Sequence, residues 1–179
     1  MFVPVVLVAS LALVAAGCGG GNKPSTTSAT VEWANGFCTA ITSWTDALKT
    51  AGDALGTSPS KEGLEQAADD VRTATEKLVD DLRALGAPET ESGEETRQAI
   101  DELATTLEGD LSEIEDAAAG VSGLIDLPGA ITTIGSALSS MGTAFSSTIQ
   151  TIEDADAKGE LEDAFDQADA CGEITGSSE

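Results

Sequence analysis

The chain has 179 residues, with 32 Asp/Glu against 8 Lys/Arg, a formal net charge of −24, and neither His nor Tyr. The missing His excludes His-based catalytic triads, His general bases and His metal ligands. The charge repels nucleic acid and anionic lipid headgroups while favouring solubility, and the length suits one domain after a short leader.

Phe2 to Ala16 is apolar except for Ser10 and contains one Pro. Fifteen helical residues span about 22 Å, short of the roughly 30 Å hydrocarbon core. That length fits the apolar region of an export signal better than a membrane span. Ala15-Ala16-Gly17 then leads into Cys18. This small-small-small-Cys sequence resembles the lipobox of bacterial lipoproteins, whose Cys is acylated and becomes the first mature residue. Two features depart from that pattern: Ala15 stands where Leu is usual, and no Lys or Arg precedes the apolar run. The resemblance implies a signal peptide over 1–17, lipidation at Cys18, and anchoring at the extracytoplasmic face of the cell membrane. The alternative is an ordinary secretory signal cut near Ala16, with Cys18 left free.

Gly19 to Ala29 is rich in Gly, Ser and Thr. Residues 18–29 therefore read as a flexible tether that lifts the domain by roughly 15–20 Å. With Cys18 acylated, Cys38 and Cys171 remain, an even pair in an oxidising compartment. A disulfide is expected. Zinc or redox chemistry would want closer Cys spacing or more ligands.

Residues 30–172 read as a helical domain. Trp33, Phe37, Ile41, Trp44, Leu48 and Leu55 recur on one face of a first helix from about Val31 to Ala51. Thr30 is the expected N-cap, and Gly52 and Gly56 are the expected stops. The large rings at this spacing are expected to fill the core rather than form an aromatic ligand slot. Ser58-Pro59 reads as the cap and first residue of a second helix carrying Leu64, Val71, Leu78, Leu82 and Leu85, ended by Gly86 and Pro88. Ser58-Pro59-Ser60-Lys61 matches the Ser-x-x-Lys of penicillin-binding enzymes. No Ser-Asp-Asn or Lys-Thr-Gly follows, and the chain is too short for that fold.

Ser92-Gly93-Glu94-Glu95 has the form of a capping box. It opens a third helix on Ile100, Leu103, Leu107, Leu111, Ile114, Ala118 and Val121, to about Gly123. Its other face carries Asp101, Glu102, Glu108, Asp110, Glu113, Glu115 and Asp116, expected in solvent rather than in acid–base work.

Leu127 to Ile152 has no charged residue. Its ten Ser/Thr argue against a lipid-facing span. Ile131, Ile134, Leu138, Met141, Phe145, Ile149 and Ile152 mark a fourth helix. It is expected to be the most buried, with Gly135 and Gly142 letting a neighbour approach closely. A partner-binding helix is the alternative reading. The pattern then breaks near Gly159 and resumes through Leu161, Phe165, Ala168 and Cys171, before a tail over 173–179. Asp154-x-Asp156-x-Lys158-Gly159 has the look of half an EF-hand loop, but Lys158 replaces a ligand and Phe165 stands where the bidentate Glu belongs.

Four long helices with short connections predict an all-α, antiparallel up-down four-helix bundle with a kinked or broken last helix. That topology brings Cys38 and Cys171 to one end, where a disulfide closes the domain. Trp33-Ala34-Asn35-Gly36-Phe37-Cys38 together with a Cys near the C-terminus resembles uncharacterised small secreted lipoproteins of actinobacteria. The low Lys and high Ala, Gly, Thr and Asp content fits a GC-rich genome. The resemblance implies location and fold, and transfers no activity to particular residues. No catalytic residue, cofactor site or metal site is expected. The functional expectation is a lipid-anchored binding or interaction module at the cell envelope, its partner an envelope protein. The alternative is a carrier holding an apolar, lipid-like ligand between its helices.

Overall fold

The computed structural model describes residues 26–57 and 60–172, without the side chains of 54–57. The described residues are all-helical: α1 (Ser28–Thr57), α2 (Lys61–Leu85), α3 (Gly93–Ala119), α4 (Leu127–Ala155), α5 (Glu160–Gln167), and a 3₁₀ turn at Asp169–Cys171. The helices form a bundle in which α1 packs on α2, α2 on α3, and α3 on α4. The short α5 and the 3₁₀ turn pack on α1.

Several boundaries differ from the sequence expectations. The first helix starts at Ser28, so the last two residues of the expected tether are helical. Thr30 does not cap it. Thr27 does, its hydroxyl accepting from the Thr30 N–H at 3.2 Å. Thr26, Thr27, Ser28 and Thr30 can all cap in principle, and packing selects among them. Neither Gly52 nor Gly56 stops α1, which runs on to Thr57, because one Gly costs a helix only about 1 kcal/mol. Ser58 and Pro59 lie outside the described residues. The cap of α2 is Ser60, whose hydroxyl accepts from the Gly63 N–H at 3.0 Å. Gly86 ends α2 as expected, at φ 63°.

The capping box at Ser92 is not made. Its backbone (φ −87°, ψ 6°) is outside the extended region a cap uses, and its hydroxyl makes no cap bond. At the neighbouring Gly93, an added Cβ would stand 2.1 Å from the Pro88 carbonyl oxygen. Glycine lets the loop from α2 fold tightly onto the first turn of α3. Gly93→Ala is therefore expected to destabilise the domain by about 1–3 kcal/mol, measurable as a lower midpoint in urea. An unchanged midpoint would show that the loop yields freely. The third helix ends at Ala119 rather than near Gly123.

The core follows the expected stripes of α1, α2 and α3. Ala104, Leu107 and Ile114 of α3 are completely buried. Both Trp side chains are core residues with their one polar atom satisfied: Trp33 Nε1 donates to the Gly86 carbonyl at 2.9 Å, and Trp44 Nε1 to Thr75 Oγ1 at 3.1 Å. At Gly36, a Cβ would meet Leu85 Cδ2 at 2.6 Å, so α1 and α2 lie close there.

The expectation for α4 is overturned. It is not the most buried helix, because one side packs on α3 while the Ser/Thr side faces solvent. Open space surrounds Gly135 and Gly142. The hydroxyls of Thr132, Thr133, Ser136, Thr143, Ser146 and Thr151 donate to carbonyls of the preceding turn. Ser and Thr are polar enough to face water without any charge on the helix. Charge on the other surfaces is dense: Arg72 joins Asp69, Glu76 and Glu115, while Arg83 joins Glu108 at 3.0 Å across α2 and α3. Such exposed pairs contribute little individually.

Candidate ligand-binding cleft

Cys18 lies outside the described residues. Cys38 and Cys171 are bonded, their Cα atoms 5.1 Å apart across 133 residues of sequence. The 3₁₀ turn carrying Cys171 is also held by Asn35, whose Oδ1 accepts from the Ala170 N–H at 3.1 Å. Around this closure sits an aromatic cluster. Phe37 stacks on Trp33 at 5.4 Å between ring centroids, meets Phe165 edge-on at 5.8 Å, and reaches Phe145 of α4 at 6.5 Å.

The break between α4 and α5 is built by Asp156. Gly159 turns the chain at φ 69°. The Asp156 carboxylate then accepts from the N–H groups of Glu160, Leu161 and Glu162 at 3.0, 2.8 and 3.0 Å. A negative group on those first N–H donors suits a helix start. This capping explains the half EF-hand pattern. Among the described residues no group of three or more His, Cys, Asp or Glu could hold a metal ion. Lys158 pairs instead with Glu91, whose hydrogen bond and charge hold the ammonium above its ordinary pKa.

Where a closed four-helix bundle would have α4 sealed against α1, the described residues do not pack as a helix pair. The Phe37–Phe145 contact bridges the seam. Below it opens a cleft of about 730 Å³ between the second half of α4, the start of α1, and α5. Its walls are Phe37, Phe145, Ile149, Ile152, Leu161 and Phe165, together with the disulfide. Its rim carries Glu153, Asp156, Glu162 and Asp166, with Ser146 and Gln150, and among the described residues no Lys or Arg lines it. The size lies within the ~300–1,000 Å³ typical of small-molecule sites, and the apolar walls with a few polar groups match their usual composition. Phe145, Ile149 and Phe165 are only half-buried. Spacing alone reads them as core, because periodicity reports which face a residue shares and not whether a neighbouring helix covers it.

The remaining sequence candidates sit elsewhere. Of the acidic face of α3, Asp101, Glu102, Glu108, Glu113, Glu115 and Asp116 are exposed, as expected, whereas Asp110 is half-buried with its Oδ2 turned out of solvent. In the Ser-x-x-Lys lookalike, the Ser is Ser58, which lies outside the described residues, and Lys61 Nζ donates to the Val121 carbonyl at 2.9 Å. Leu124 and Ile125, 81% and 91% exposed in the turn between α3 and α4, carried no signal in the helical periodicity. Among the described residues no helix is long and apolar enough to cross a membrane. In comparisons with known proteins, no family model, no curated protein and no solved structure matches the chain, so the functional reading rests on this geometry.

Proposed function

We propose that the protein is a lipid-anchored, extracytoplasmic binding module that holds a largely apolar small molecule in the cleft between α1, α4 and α5. The observation that carries this reading is the unsealed α1–α4 seam, with three half-buried apolar side chains lining about 730 Å³ of space. In this reading residues 1–17 are the lipoprotein signal, Cys18 carries the acyl anchor, the tether follows, and the family is that of the small actinobacterial lipoproteins.

The bundle is read as up-down-up-down. Trp33 near the start of α1 bonds Gly86 at the end of α2, and Lys61 at the start of α2 bonds Val121 beyond the end of α3. Both contacts support alternating directions. The last helix is then α4 bent and interrupted at Asp156–Gly159. The cleft lies near the start of α1, the end nearest the anchor. In this reading the tether from Cys18 to Thr27 has ten residues, for which the chain-statistics span is roughly 15–20 Å. An apolar ligand exchanging with the bilayer has a short path.

A neutral N-arylnaphthylamine, which fluoresces in apolar surroundings, tests the cleft. Saturable binding at one site per chain is expected. Ser146→Trp, at an exposed position on the rim, is expected to abolish it at an unchanged melting temperature. Absence of saturable binding, or equal binding by the variant, contradicts the reading. Anchoring is tested separately. Cys18→Ser is expected to release the protein from the membrane fraction or leave its signal uncut. Wild-type processing and fractionation of that variant would contradict a lipid anchor.

A second reading, an interaction module docking on an envelope protein, is favoured by the exposed Leu124–Ile125 pair. On the up-down arrangement that pair lies at the end away from the anchor.

A further inference from the structure

The geometry points to a cationic amphiphile as the ligand of this cleft: an apolar body against the Phe and Ile walls and a positively charged head at the carboxylate rim. The inference rests on the cleft being a ligand site and adds the charge class of its occupant.

Two observations converge on it. The apolar surface is continuous from Phe145 and Ile149 on α4 to Phe165 on α5. Burying an alkyl or aromatic body there is favourable in proportion to its area. The polar boundary of the same cleft carries one sign of charge. Glu153 leaves α4 on one side, while Glu162 and Asp166, four apart on α5, stand on the other. All three are exposed, so their charge is available at the mouth without the cost of burial. Asp156 has a different task, since its carboxylate is occupied by the first N–H groups of α5. An anionic head would meet three carboxylates, and among the described residues no basic residue stands in the cleft wall. A cationic head meets complementary charge at the rim while its apolar body lies against the walls.

Three probes sharing a twelve-carbon chain separate the possibilities: dodecyltrimethylammonium, dodecyl maltoside and dodecyl sulfate, each below its critical micelle concentration. Binding is measured by titration calorimetry at 0.15 M salt. The proteins are the wild type, Ser146→Trp, and the triple variant Glu153→Gln/Glu162→Gln/Asp166→Asn. The cationic probe is expected to bind the wild type about tenfold more tightly than the neutral one, the combined effect of three exposed charge pairings. The triple variant is expected to remove that preference while keeping the neutral probe's affinity, and Ser146→Trp to block both probes.

If neutral and cationic probes bind alike and Ser146→Trp blocks both, the cleft is a ligand site and the charge inference falls. A preference for the sulfate also overturns it. So does a cationic preference that survives in the triple variant, since that preference would come from the overall charge of −24. If Ser146→Trp alters binding of none of the probes, the cleft reading falls as well.

Discussion

Replacing Cys38 and Cys171 together with Ser lowers the melting temperature by about 10–15 °C while helix content at 25 °C stays unchanged. The bond closes a loop of 133 residues. In the chain-entropy account, such a cross-link restricts the unfolded chain by up to about 5 kcal/mol. For a domain of this size each kcal/mol moves the midpoint by roughly 2–4 °C. The helices themselves are expected to keep their core, which includes the completely buried Leu107 and Ile114 of α3, a helix that carries neither cysteine. Calorimetry and far-ultraviolet circular dichroism on the same samples check both halves of the expectation. A shift under about 3 °C would mean that the aromatic cluster around Phe37 closes the domain without the covalent link.

Phe37→Ala has the second large effect, and it is local as well as global. Phe37 is 2% exposed and touches Trp33, Phe165 and Phe145, so it joins α1, α5 and α4 at one point. Truncating a buried Phe costs about 3–5 kcal/mol. Since the α1 and α4 backbones do not pack as a pair, losing this ring also removes the bridge across their seam. Hydrogen exchange is expected to rise in the second half of α4 more than in α2 or α3. Leu107→Ala, in the middle of α3, is the control. It should cost a comparable ~2–5 kcal/mol without singling out α4. Equal loss of protection in both variants would show that the seam is held by something other than Phe37.

Much of this fold was legible in the residues. The three/four spacing located the helices, and the Trp and Phe rings of α1 are in the core as expected. Cys38 and Cys171 are paired as expected. What was not legible has a common physical cause. Helix ends are set by whichever cap-capable side chain the tertiary packing leaves free. Thr27 therefore caps in place of Thr30, Ser60 in place of Ser58, and Ser92 not at all. Burial along α4 depends on the number of neighbours it has, and a sequence stripe carries no such number. An uncharged run looks buried, yet its Ser and Thr side chains are polar enough to stand in water, as those of α4 do. The cleft was illegible for the same reason, because among the described residues Phe145, Ile149 and Phe165 differ from core residues in having no helix over them. The Asp156 cap was readable in hindsight, as a carboxylate ahead of Gly159-Glu160, but the same residues also spell half of a calcium loop.

The central claim is that the cleft holds an apolar ligand, and the most direct test is native mass spectrometry of the wild-type protein extracted gently from its host's membranes. One non-covalently bound apolar molecule per chain is expected, released on denaturation and absent from the Ser146→Trp variant prepared in parallel. A wild-type protein carrying no such molecule, or carrying the same molecule in the same amount as the variant, would contradict the account.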